Sequence, residues 1–67
     1  MDDEQRGAAL QAYRKCVGHS IARACRICEV GERIWRRWEK GEAPIPFAIL
    51  KLYLTETGGT FIREEWE

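Results

Sequence analysis

Glycine punctuation constrains this chain more than any other feature. Gly18, Gly31, Gly41 and the pair Gly58-Gly59 cut 67 residues into four short stretches and a tail, and in each of the four the apolar residues recur at helical rather than alternating spacing. The first stretch predicts a helix from near Asp3 to about Val17, with Leu10, Tyr13 and Val17 on one face and Gly18 as terminator. Asp2, Asp3 and Glu4 lie where the positive end of the helix dipole favours carboxylates. Ser20 is a good N-cap for a second helix to about Cys28, whose stripe is Ile21, Ala24, Cys25 and Cys28. Gly31 can cap a third, from Glu32 to about Lys40, with Ile34, Trp35 and Trp38 inward and Gly41 at its end. Pro44-Ile45-Pro46 breaks the pattern and launches a fourth helix from Pro46 to about Thr57, which carries Phe47, Ala48, Leu50, Leu52 and Leu54.

A chain this short makes one domain, 1–67, and buries only about 60% of the surface its unfolded form exposes. Charged residues at 33% and hydrophobic residues at 45% suit a water-soluble globular domain. The longest apolar run, 45–50, is interrupted by Pro46 and is far below the roughly 20 residues of a membrane span. The acidic start, Met1-Asp2-Asp3-Glu4, leads into no apolar segment of the secretory kind. Cytoplasmic residence is the expectation, and the three cysteines are read as free thiols.

Net charge is zero, but it is unevenly spread. From Arg14 to Lys40 eight basic residues (Arg14, Lys15, Arg23, Arg26, Arg33, Arg36, Arg37, Lys40) face three acidic ones (Glu29, Glu32, Glu39), a balance of +5, so the two ends sum to −5. A cationic centre between acidic ends is what a phosphate-facing protein shows, and also what a solvated helical face shows. The fourth helix is apolar on most sides, which points to a partner: Ile49, Leu50, Tyr53 and Leu54, with Phe61 and Trp66 of a short C-terminal arm, are the expected contacts of a homodimer within 46–67.

Two short helices joined by a tight turn, the second with charges outward and aromatics inward, form a helix-turn-helix at about 20–40. Residues 20–46 resemble that segment of the phage repressor, Cro and Xre-type family, which includes small phage regulators such as anti-CRISPR-associated repressors. The strongest match is Ile34-Trp35-Arg36-Arg37-Trp38-Glu39-Lys40-Gly41 followed by Glu42-Ala43-Pro44-Ile45-Pro46, since the family's recognition helix ends in a Trp-Glu-x-Gly element before a Pro-containing loop. Cys25 stands where the family has a small Ala, and Val30 where it has a buried Val. Glu29 replaces the turn's common Gly, which predicts a remodelled or strained turn, and Gly31 replaces the usual Ser or Thr cap.

The resemblance implies an all-α, four- to five-helix lambda-repressor-like domain with no enzymatic activity, cofactor or small-molecule substrate. Its function would be transcriptional regulation, as a repressor dimer on an inverted repeat of double-stranded DNA. Glu32, Arg33, Arg36 and Arg37 fall at the positions that touch base edges, where Arg can pair with guanine and Glu with cytosine. Ser20 and the amide of Ile21 fall at a phosphate-binding helix start, with Arg14, Arg23 and Lys40 as further phosphate contacts. Trp35 and Trp38, three apart and opposite Arg33 and Arg37, read as core rather than base-stacking groups.

Two other readings compete. A protein-interaction module, or an antitoxin, would use the apolar fourth helix and the 61–66 tail and keep the helix-turn-helix as scaffold. Cys16-x2-His19 and Cys25-x2-Cys28 supply four zinc-type ligands, but only five residues separate the pairs, against about twelve in finger and ribbon frameworks, and the helical core claims the same positions. No nucleophile motif, paired carboxylates or phosphate loop is present in the sequence.

Overall fold

In the computed structural model, described for residues 2–59, the chain forms α1 (Asp3–Cys16), α2 (Ile21–Cys28), α3 (Glu32–Glu39) and α4 (Phe47–Glu56). The all-helical expectation holds for these residues, with boundaries within one or two positions of those read from the sequence. Among them no helix is long and apolar enough to cross a membrane. The expected C-terminal arm, with Phe61 and Trp66, lies outside the described residues.

The helix starts follow local chemistry. Asp2 caps α1: its side chain accepts from the Gln5 amide at 2.8 Å, and the Gln5 side chain accepts from the Asp2 amide at 3.2 Å. This reciprocal capping box satisfies two amides that the helix leaves unpaired. Ser20 caps α2 through the Arg23 amide at 3.1 Å. Gly31 and Pro46 start α3 and α4 with no side-chain bond.

All four helices end in one way. The amide of the residue after the stop bonds a carbonyl five residues back: His19 to Arg14, Val30 to Cys25, Glu42 to Arg37 and Gly59 to Leu54. This closure requires a left-handed residue just past the helix. Gly18, Gly41 and Gly58 supply it at three ends, and Glu29, with φ 55° and ψ 45°, supplies it at the fourth. The turn between α2 and α3 therefore keeps its glycine-type geometry with a β-carbon present, and it is strained rather than remodelled. An L-residue in that conformation costs about 1–2 kcal/mol; glycine removes that cost but loses part of the gain through the freedom it adds to the unfolded chain. Because Glu29 is exposed, Glu29→Gly should stabilise the protein by roughly 0.5–1 kcal/mol, a rise of a few degrees in Tm. An unchanged or lower Tm would show that the turn carries no such strain.

Packing centres on aromatic rings. Trp35 and Tyr53 are fully buried, with centroids 5.3 Å apart at an edge-to-face angle, and Trp38 and Tyr13 extend the cluster at 5.8 Å from Trp35 and 5.7 Å from Tyr53. Leu10, Ala24, Cys25, Cys28, Ile45 and Leu50 complete the buried core. α1 lies chiefly on α3, and α2 touches both α3 and α4. The approach of α1 is very close: a β-carbon on Gly7 would collide with the carbonyls of Trp38 and Glu39, and one on Gly41 would meet the Glu4 backbone. A mid-helix glycine is thus a packing requirement here.

One polar element crosses this core. Arg14 of α1 is buried, and its guanidinium donates to Glu39 of α3 through Nε at 2.7 Å and Nη2 at 3.2 Å, and through Nη1 to the His19 carbonyl at 2.9 Å. Glu39, also buried, accepts a third bond from Trp35 Nε1 at 2.6 Å. The Glu39 hydrogen bond is the chief reason the Arg14 guanidinium is held above its usual basicity. Every buried side-chain polar atom among the described residues has a partner.

Candidate nucleic-acid interface

α3 is two-faced. Helical geometry advances about 100° per residue, which places Trp35, Trp38 and Glu39 toward the core and Glu32, Arg33, Arg36, Arg37 and Lys40 on the opposite arc. The burial pattern matches: the first three are buried and the other five exposed. Arg33 and Lys40 lie near the middle of the outward arc, Arg36 and Arg37 to either side, and Glu32 at its edge. The five positions expected to face DNA on this helix therefore form one continuous surface. Beneath it, Trp35 makes two edge-to-face aromatic contacts and donates a hydrogen bond to Glu39. Only one ion pair is formed on the arc among the described residues, between Arg36 Nη2 and Glu32 Oε1 at 3.2 Å.

Next to this surface, Glu29, Val30 and Gly31 join α2 to α3. At the far end of α2, Ser20, Ala22 and Arg23 are exposed and Ile21 is half-buried. The first amides of a helix have no acceptor inside it, so those of Ile21 and Ala22 give this end partial positive charge. The Ser20 hydroxyl is already engaged with the Arg23 amide. Arg26 on α2 and Lys15 on α1 are exposed cations that the sequence counts but to which it assigns no role.

Three sequence-derived assignments are corrected here. Arg14 cannot serve as a phosphate contact, because its guanidinium is buried and held by Glu39 and the His19 carbonyl. Leu50 and Tyr53 cannot form a dimer contact, because one copy of the chain already buries both. Ile49 and Leu54 are half-buried against the same core, and the larger apolar groups exposed on α4 are Phe47 and Leu52, each 37% accessible. The sequence overcounted the surplus apolar surface of α4 because Tyr53 fills space between α1 and α3 that periodicity alone leaves unassigned.

The four potential zinc ligands do not gather. Cys16 is exposed at the end of α1, Cys25 and Cys28 are in the core, and His19 Nδ1 is 2.9 Å from the Tyr53 hydroxyl. Among the described residues no three His, Cys, Asp or Glu side chains are placed to hold a metal. Burial pushes the Cys28 thiol up to about 11 and raises that of Cys25, opposing thiolate formation. A thiol reagent should therefore label Cys16 alone in the native protein and all three cysteines once it is denatured. The same burial predicts an alkaline limit. A thiol or phenol whose pKa is raised on folding contributes stability in full below its unfolded value, and that stability is lost as pH rises through the folded one. For Cys28 the loss runs from pH 9.0 to about 11, and for Tyr53 from 10.0 to about 12. A Tm that held constant across this window would contradict the burial of both groups.

Comparison with family models, curated proteins and solved structures finds no match.

Proposed function

We propose that the protein is a sequence-specific double-stranded DNA-binding regulator of the phage repressor, Cro and Xre kind, with α2 and α3 as its helix-turn-helix and α3 in the major groove. The observation that carries this reading is the outward arc of α3: four exposed cations on one continuous face, backed by two buried tryptophans. A short turn to α2 and the capped start of α2 at Ser20 supply the second element of such an interface, a helix N-terminus suited to a phosphate. Arg33, Arg36, Arg37 and Glu32 are the base-reading candidates, and Arg23, Lys40, Ser20 and the Ile21 amide the phosphate contacts. The regulator acts as a homodimer on an inverted repeat, and the exposed Leu52 and Ala48 of α4 offer apolar surface for its interface. As a repressor it would act by occupying a promoter.

Salt and substitution test this together. Arg23 and Lys40 of both protomers would neutralise about four phosphates, giving a log–log salt slope near −3.6, or about a hundredfold loss of affinity for a fourfold rise in salt. Arg37→Ala should lower affinity for a specific duplex by about 1–3 kcal/mol while leaving thermal unfolding unchanged, since Arg37 is exposed. Binding indifferent to salt and to Arg37 would reject the interface and favour the protein-interaction reading.

A further inference from the structure

The outward arc of α3 has one anion. Glu39 points inward to Arg14, so Glu32 alone brings a carboxylate to the cationic face, and it is engaged with Arg36 at 3.2 Å, both side chains about half exposed. Glu32 also stands in the first turn of α3, where the positive end of the helix dipole favours a carboxylate. In water such a pair is worth little. Against a polyanion it matters more, because Arg36 can turn to a phosphate only by leaving the Glu32 carboxylate uncompensated beside the same strand. Base edges impose no such conflict: Arg36 can pair with guanine O6 and N7 while Glu32 accepts from a cytosine N4 amino group.

We propose that Glu32 is the specificity-determining residue of this interface, holding Arg36 off the phosphate backbone so that the pair opens only on base pairs that satisfy both partners. The inference rests on the DNA-binding reading above and assigns Glu32 a repulsive role as well as an attractive one. It reduces the phosphate contacts available on non-cognate DNA by one per protomer.

The test compares the full chain with Glu32→Gln on two duplexes, one carrying the site selected from random sequence and one a scramble of the same composition. Helicity by circular dichroism should be unchanged, since Glu32 is exposed. Glu32→Gln frees Arg36 for a phosphate, so affinity for the scramble should rise on the order of tenfold at about 0.1 M salt, with a salt slope steeper by about 0.9 per protomer. The preference for the selected duplex should shrink accordingly. Adding Arg36→Gln to Glu32→Gln should abolish the gain. An unchanged preference in Glu32→Gln, or a gain that survives the loss of Arg36, overturns the inference while leaving DNA binding intact. Failure of the unsubstituted protein to bind either duplex overturns the DNA-binding reading, and this inference with it.

Discussion

Glu39→Ala should leave the protein largely unfolded at 25 °C. The substitution strands the Arg14 guanidinium, buried between α1 and α3, and removes the acceptor of the Trp35 indole. Breaking a buried pair by deleting one partner costs about 3–5 kcal/mol, because the surviving charge is neither solvated nor compensated. A 67-residue domain has roughly 3–10 kcal/mol of total stability. The loss is therefore comparable with everything that holds the fold. Removing both charges is a different case: Arg14→Met with Glu39→Gln keeps an acceptor for Trp35 and leaves no buried ion, so it should recover most of the loss. Urea unfolding of the parent protein and these two variants checks this. A Glu39→Ala protein as stable as the parent would mean that the pair is open to solvent.

Trp35→Ala should be about as damaging, at about 3–5 kcal/mol. The ring is wholly inaccessible, touches Trp38 and Tyr53 edge-to-face, and stands directly behind the exposed cations of α3. Its removal opens a cavity among the helices and loosens the surface proposed to meet DNA. Trp38, at 5% accessibility, should behave similarly, and a folded Trp38→Ala protein with altered base preference would instead put that ring on the bases. Near-ultraviolet circular dichroism and thermal unfolding distinguish these outcomes.

Helix order and helix ends were legible in the sequence because both are local. Gly18, Gly41 and Gly58 mark left-handed stops, Ser20 marks a cap, and the stripes of α2 and α3 are read at fixed spacing. Even the anomaly at Glu29 could be foreseen, since a side chain stood where the turn asks for none. The Arg14–Glu39 pair was not foreseen, because each residue taken alone reads as a surface charge and 25 positions separate them. A signal did exist. Gly7, Leu10, Arg14 and Val17 recur at the spacing of one helix face, so Arg14 lies in the buried stripe of α1. Glu39 lies one turn after Trp35, beside the buried stripe of α3. A charge inside each of two apolar stripes points to their mutual neutralisation. The surplus apolar face of α4 misled for the complementary reason: how many of its residues the chain buries itself depends on where α1 and α3 lie, which no local pattern specifies. The outward arc of α3 needed only the helix period, and it came through intact.

The DNA-reading role proposed for this arc can be probed by incubating the purified protein with a library of random duplexes at low and moderate salt and sequencing the bound fraction. Enrichment of a two-fold-symmetric motif containing G·C pairs is expected, with half-sites about one helical turn apart. Recovery of no bound fraction at either salt, or of a bound fraction with no sequence preference, would contradict it.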